Sequence, residues 1–293
     1  MFAIIRASLV SICLIINLAI LSSAFFMALV VGTCLPIPLV KRTAYWLSEQ
    51  LYHLWVDING AIFHTMLPTI WETTIPSNLD RKQWYALVAN HASGIDILVL
   101  QCIFNRKIPH LKFFMKDSLK WVPFAGQLCY LSNYPMIKRY SPQQIRKNPS
   151  LRHKNIDSVK TACKRLKQHP TTVINFCEGT RFTEEKREKT QSPYTHLLAP
   201  QAGGTALVLQ HLDTQIEQLI DVTIHYQSGA TLVDFIQGKV PKITIQGNLI
   251  PVNASWRGDF YTDRQFRRSI TQNLQQLWSQ KDKALAELHD TLS

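Results

Sequence analysis

The stretch Trp84-Tyr85-Ala86-Leu87-Val88-Ala89-Asn90-His91-Ala92-Ser93-Gly94-Ile95-Asp96 decides how the chain is read. Its first six residues are a short continuous apolar run, the pattern of a strand buried on both faces. Asn90 to Gly94 interrupt that run, and the apolar residues from Ile95 to Phe104 then read as a helix. Strand, tight bend and helix form the unit of an α/β fold, whose chemistry sits where strands end and helices begin. A histidine and a carboxylate occupy this bend. Gly94 lets the chain turn tightly, Ser93 is placed to cap the helix, and Asp96 falls in the first turn, where the helix dipole favours a carboxylate. If the bend folds back, Asp96 reaches one ring nitrogen of His91. That contact fixes the tautomer and favours the imidazolium formed on accepting a proton, so the pair reads as a general base with its orienting partner. In a chain with ten histidines such a spacing also arises by chance, and a capping Asp beside a loop His is the plain alternative.

Outward from this unit, strands and helices continue to alternate. Lys112 to Met115, Thr171 to Phe176, Leu219 to Tyr226 and Lys242 to Ile250 read as strands, and Tyr134 to Lys138 is strand-like at its end. Ser150 to His169, Gly204 to Leu212 and Asp263 to Leu292 read as helices, and Ser118 to Leu131 as a helix interrupted by Pro123 and Gly126. The expected fold class is α/β, a mixed, mostly parallel sheet flanked by helices, preceded by an N-terminal membrane-anchoring helical segment.

That anchor is read from Ala7 to Val40, which carry no charged side chain and exceed the roughly 20 apolar residues needed to span a bilayer core. A cleaved signal peptide is the alternative, but the apolar run continues past the small residues Ser22-Ser23-Ala24. Tyr45 to Pro68 is amphipathic, with Trp46, Leu47, Leu51, Leu54, Trp55, Ile58 and Ile62 at helical spacing. It is expected to lie in the membrane interface, antiparallel to the first helix; a helix packed on the soluble domain is the alternative. The expected organisation is a membrane anchor over 1–70, a catalytic domain over 71–260 and a C-terminal helix packed on it over 261–293. The six cysteines are scattered without a C-x-x-C pair, which argues against a disulfide framework or a zinc site and for a reducing compartment.

Two further strand exits carry charge. Phe176-Cys177-Glu178-Gly179-Thr180-Arg181 follows one strand: its glycine permits close backbone approach to a ligand, and Arg181 offers a planar fork for phosphate. Met136-Ile137-Lys138-Arg139 ends another. Taken singly, each is also explained as a turn or a solvated face. Together they suggest one anion-binding cleft around His91.

These residues also carry a family resemblance. Asn90-His91-x4-Asp96 resembles the first signature of the glycerolipid acyltransferases that include the 1-acylglycerol-3-phosphate acyltransferases. Tyr134 to Arg139 resembles the second, in the Lys-Arg form of the lysophospholipid acyltransferase branch, and Glu178 to Arg181 the third. Arg181 to Lys186 and the run Leu197-Leu198-Ala199-Pro200 with Gly203 are similar to that branch too, and the resemblance covers about Leu79 to Tyr226. It implies transfer of a fatty acyl group from acyl-CoA or acyl carrier protein to the hydroxyl of a membrane-borne lysophospholipid, 1-acylglycerol-3-phosphate foremost. His91 and Asp96 would be catalytic. Asn90, Ser93, Lys138, Arg139, Glu178, Gly179, Thr180 and Arg181 would line the substrate, Arg139 and Arg181 holding the phosphate and Glu178 shaping the acceptor site. No metal and no resident cofactor is implied, the acyl donor being a co-substrate. The tetrahedral oxyanion would need preorganised donors, expected from backbone N–H groups near a strand exit.

The chain departs from the family pattern at three places. Cys177 stands where proline is frequent, and it is expected to be a small buried residue rather than a nucleophile. Gln201 is neutral where relatives often carry a cation. Val222 to Tyr226 lacks the proline of the fourth signature and is assigned no site role.

Net charge is +12, and Arg81 to Pro200 carries 21 Lys and Arg against 7 Asp and Glu. That excess suits anionic lipid, CoA phosphates or an acidic carrier protein. No nucleic-acid reader motif accompanies it, so nucleic acid is not an expected partner. The basic remainder of the chain places the catalytic domain on the cytoplasmic side of the membrane, as an integral membrane protein. Two competing readings are a non-catalytic lipid- or anion-binding module of the same fold and a thioesterase using the same His–Asp pair.

Overall fold

The computed structural model describes residues 2–35, 37–122, 126, 129, 132, 134–137, 142–148, 150–228 and 231–290. Helices α1 (Phe2–Cys34) and α2 (Pro38–Met66) form an antiparallel hairpin. Near its open end Asn17 donates to Asn59 Oδ1 at 2.8 Å, and nearer the bend Phe25 clusters with Tyr52 and Val56. α2 begins well before Tyr45, with Pro38 in its first turn, where a missing N–H costs nothing. Its buried residues include Ser48, Tyr52, Val56, Asn59 and Phe63, a stripe at helical spacing. His53, Asp57, Asn105 and Arg106 lock it to the loop after α3 (Asp96–Phe104), with Asp57 Oδ2 2.7 Å from Arg106 Nη2. α2 is therefore packed on the domain along one side, antiparallel to α1 as expected, with Trp46, Leu47 and Leu54 left exposed on the other.

The strands β1 (Ile70–Thr74), β2 (Trp84–Ala89), β3 (Leu111–Phe113), β6 (Thr172–Phe176), β7 (Ile216–Tyr226) and β8 (Lys242–Pro251) form one sheet in the order β1-β8-β7-β2-β6-β3. β7 and β8 pair antiparallel, and every other neighbouring pair is parallel. The fold is the mixed, mostly parallel α/β sheet read from the sequence. β4 (Met115–Lys116) and β5 (Met136–Ile137) pair in a separate two-stranded ladder, which holds the described end of the Tyr134 stretch.

β2 lies at the centre and is buried on both faces. Tyr85, Leu87 and Ala89 enter one core with Phe63 of α2 and Val99 and Leu100 of α3 (Asp96–Phe104). Ala86 and Val88 enter the other, against the helices Ser150–Leu166, Ala202–Leu212 and Arg264–Asp290. That alternation is the two-residue period of a strand expressed on two covered faces. Register then places the site. Ala89 pairs with Phe176 on one side and Val222 on the other, so the exits at Asn90 and Cys177 and the last turn of β7 share one end of the sheet.

Candidate active site

β2 leaves the sheet at Asn90. Its side-chain amide donates to Ile224 O at 2.9 Å and its carbonyl accepts from Ile224 N at 2.8 Å, extending the β2–β7 ladder by one mock backbone pair. Asn90 was expected against substrate; its polar atoms are instead spent on the neighbouring strand, and it is buried.

The next residue is held from both sides of its backbone. His91 N donates to Glu178 Oε1 at 2.9 Å, and His91 O accepts from Phe182 N at 2.8 Å. The imidazole stacks on Phe176, with ring centroids 4.3 Å apart, and its Nδ1 lies 2.8 Å from Asp96 Oδ2. A carboxylate only accepts, so this contact puts the proton on Nδ1 and leaves the Nε2 lone pair exposed. The side chain is 21% exposed, and Nε2 has no hydrogen-bond partner among the described residues.

Asp96 is fully buried, and each of its oxygens is occupied. Ser93 N donates to both, at 3.1 and 3.0 Å, and Tyr226 Oη donates to Oδ1 at 2.7 Å. The cap expected from Ser93 is thus reversed: the carboxylate in the helix's first turn reaches back to the Ser93 amide, as in the returning half of a capping box. The Ser93 hydroxyl accepts from Ile95 N at 3.3 Å and is buried.

Glu178 braces the site from beneath. Its oxygens accept from His91 N and from Leu198 N, both at 2.9 Å, joining the loops after β2 and β6 to the one before α7 (Ala202–Leu212). Burial pushes its carboxyl up to about 7, against the pull of the two N–H groups, and nearby Asp96 adds to the rise. Lys281 opposes it. That buried ammonium lies 2.6 Å from Asp221 and donates to Val222 O at 2.6 Å. Glu178 thus shapes the site through the backbone of its neighbours.

The rest of the third signature turns outward. Gly179 has φ +70°, a left-handed conformation that glycine adopts without strain. Thr180 is exposed and accepts from Lys186 Nζ at 2.9 Å. Arg181 is exposed with no side-chain hydrogen bond among the described residues, and its Nη1 lies 3.3 Å from where a Cβ on Gly94 would stand. A guanidinium therefore borders the His91 bend, free to take an anion. Lys138 and Arg139 lie outside the described residues. Cys177 is buried, and burial pushes its thiol up to about 12, which makes it a poor nucleophile.

Val222 to Tyr226, to which the sequence reading assigns no role, supplies the Ile224 backbone that holds Asn90 and the hydroxyl that holds Asp96. Alternation along a buried strand puts Ile224 and Tyr226 on one face, but only the β2–β7 register shows that the face meets the dyad.

The site thus brings together an imidazole held by a buried carboxylate and an exposed guanidinium, groups able to take a proton and to pair with an anion. Residues 71–227 match the family model described as Acyltransferase, and the chain belongs to that family. It is 26% identical over 181 residues to 1-acyl-sn-glycerol-3-phosphate acyltransferase 3 of Arabidopsis thaliana, covering 56% of this chain and 45% of that one. It is 22% identical over 249 residues to 1-acyl-sn-glycerol-3-phosphate acyltransferase epsilon of Mus musculus, covering 76% and 64%. The chain thus spans about half to two thirds of the length of these relatives. The crystal structure of the 1-acyl-sn-glycerophosphate (LPA) acyltransferase PlsC from Thermotoga maritima shares the fold, with a TM-score of 0.56 at 13% identity over 98% of this chain and 97% of that one.

Two outcomes follow from this geometry. Tyr226→Phe removes a hydrogen bond to a buried carboxylate and should lower kcat about tenfold in protein that still folds, at a cost of about 1.5–3 kcal/mol in stability. An unchanged kcat would exclude Tyr226 from the support of the dyad. Glu178 titrates higher in the fold than its ordinary 4.5, so folding takes up a proton there. Wild-type stability relative to Glu178→Gln should be flat below about pH 4.5. It should fall by roughly 3 kcal/mol as pH rises to about 7 and be flat above. Urea denaturation across that range measures it, and a pH-independent difference would contradict the raised carboxyl.

Proposed function

We propose that this protein moves a fatty acyl group from a thioester, acyl-CoA or acyl carrier protein, to the free hydroxyl of a lysophospholipid, 1-acylglycerol-3-phosphate foremost, giving phosphatidic acid. The observation that carries the reading is the 2.8 Å contact of His91 Nδ1 with buried Asp96, which leaves Nε2 free, while Arg181 borders the same bend at Gly94. The relatives' names support it. An alcohol is a weak nucleophile near neutral pH, and removing its proton during attack contributes on the order of 10²–10⁴ in rate. In the proposed sequence, Nε2 takes the acceptor's hydroxyl proton as its oxygen bonds to the thioester carbonyl carbon. The tetrahedral oxyanion collapses, the carbon–sulfur bond breaks, and the imidazolium returns the proton to the departing thiolate. Asp96 stabilises the imidazolium between those steps. Arg181 holds the acceptor phosphate, and outside the described residues Lys138 and Arg139 are assigned the same task. An apolar cavity of about 220 Å³ between α1, α2 and α3, walled by Leu18, Phe25, Tyr52, Ile97, Leu98 and Phe113, suits an acyl chain.

The acceptor is an amphiphile, so the enzyme must work at a lipid surface. α1 is long and apolar enough to cross a membrane. We propose that it instead lies in one leaflet, with the catalytic domain on the cytoplasmic face. Arg6 bonds to Gln237 O, Val10 enters the domain core, and Phe25 packs on α2, so about 28 Å of helix is docked along the protein. The opposite side of α1, including Ile5, Leu9, Ile12, Ile16 and Met27, is exposed and apolar, a surface suited to contact with lipid acyl chains.

Mass spectrometry of products from mixed lysolipids, with acyl-CoA or acyl carrier protein as donor, tests the reaction. Diacyl phospholipid is expected, phosphatidic acid most abundant, with a loss of about 10³-fold or more in His91→Ala at unchanged melting temperature. Release of free fatty acid in place of diacyl lipid would identify a thioesterase. No turnover of any acceptor would favour a binding module, and activity surviving in His91→Ala would remove His91 as the base.

A further inference from the structure

The chain returns from β7 to β8 through a short helix, α8 (Leu232–Ile236). We propose that α8 is a second membrane-contact element, inserting Leu232 and Val233 into the leaflet that holds α1 and tying the catalytic end of the sheet to the lipid surface. The inference rests on the proposed in-plane placement of α1 and extends it to a separate part of the chain.

Single exposed aliphatic residues need no explanation. This pair differs in how it is built and where it stands. Leu232 and Val233 are 49% and 55% exposed, side by side in the first turn, while Phe235 beyond them is fully buried. Phe235 packs edge-on against Phe63 at 5.0 Å and Trp71 at 6.3 Å, so the helix is anchored by its inner face. Its start is a capping box: Thr231 Oγ1 accepts from Asp234 N, and Asp234 Oδ2 accepts from Thr231 N. Its end is held by α1 itself. Arg6 Nη1 donates to Gln237 O at 3.4 Å, over Gly238, whose φ of +70° and missing Cβ leave room for Arg6 and Pro68. The guanidinium that begins the anchor helix is therefore clamped onto α8. Ile4, Ile5 and Leu9 on the adjoining turns of α1 are 65%, 49% and 50% exposed. Lys239, just past α8, is exposed and suited to lipid headgroups at that level.

The placement bears on catalysis. α8 follows six residues after Tyr226, which gives its hydroxyl to Asp96. The connection is closed by Gln227 N donating to Lys242 O at 3.1 Å and Ser228 Oγ donating to Lys239 O at 3.3 Å. A leaflet contact at Leu232 and Val233 thus fixes the height of the β7 end that supports the dyad through Tyr226, where a lysolipid hydroxyl lies just below the headgroups.

Fluorescence quenching tests this on the full chain, with the non-buried cysteines Cys13, Cys34, Cys102 and Cys129 replaced by alanine. An environment-sensitive fluorophore is attached through Val233→Cys, Ile12→Cys or Lys283→Cys. The protein is bound to phosphatidylcholine–phosphatidylglycerol vesicles bearing a nitroxide on the acyl chain. Quenching of about twofold or more at positions 233 and 12, with none at exposed position 283, is expected. Quenching at 12 but not at 233 would overturn this inference and leave the placement of α1 standing. No quenching at either would overturn both. A probe at 233 shielded from water yet unquenched, in a chain that is dimeric in detergent, would assign the pair to a contact between copies and overturn the inference.

Discussion

Asp96 is a carboxylate with no exposed surface, and a charge so placed must be matched by donors fixed in position. Among the described residues three are present: the Ser93 amide, the Tyr226 hydroxyl and the His91 imidazole. Each comes from a different part of the fold. Ser93 belongs to the bend, Tyr226 to the end of β7, and His91 to the exit of β2. Satisfying Asp96 therefore requires the β2–β7 register, the start of α3 and the path of the bend together. The orientation of the His91 ring follows from that requirement.

Glu178 is the matching constraint on the other side of β2. It turns two backbone amides, His91 N and Leu198 N, toward one buried side chain, and so fixes where the loops after β2 and β6 lie. The Asn90 amide does the same between β2 and β7. The residues read from sequence as substrate contacts thus divide in two. Asn90, Ser93 and Glu178 are spent on the frame, whereas Thr180 and Arg181 face outward with the open edge of the imidazole between frame and solvent. Parallel pairing makes this economical, because three strand exits on one end of a sheet need only short side chains to reach one another.

Much of the fold was legible in the sequence because its signals are local. β2, β6 and the C-terminal helix are continuous apolar or amphipathic runs, and their observed limits fall within a few residues of the reading. β1 was not legible: of Ile70 to Thr74 only Trp71 is even partly buried, so no alternation marks the strand, which exists through its pairing with β8. At the site, His91 and Asp96 stood out through residue type and spacing, and the family resemblance supplied the likeness to an acyl-transfer site. The partners of Asn90 and Asp96 on β7 are set by register, a non-local property, and a tyrosine in a buried strand looks like any core residue until its neighbour is known. The reach of Asp96 back to the Ser93 amide escaped for a related reason: the same short motif permits either residue to act as the cap.

The substrate reading joins these constraints to the apolar hairpin, since a base held beside an exposed guanidinium is of use for a lysolipid only where lipid is present. Its central element is the protonation pattern that Asp96 imposes on His91. Nitrogen-15 NMR of the histidine-labelled protein in detergent, with His91→Gln for assignment, reads that pattern directly. The neutral His91 ring is expected to carry its proton on Nδ1, with Nε2 unprotonated. A neutral ring protonated on Nε2 would contradict the dyad and leave the site without its base.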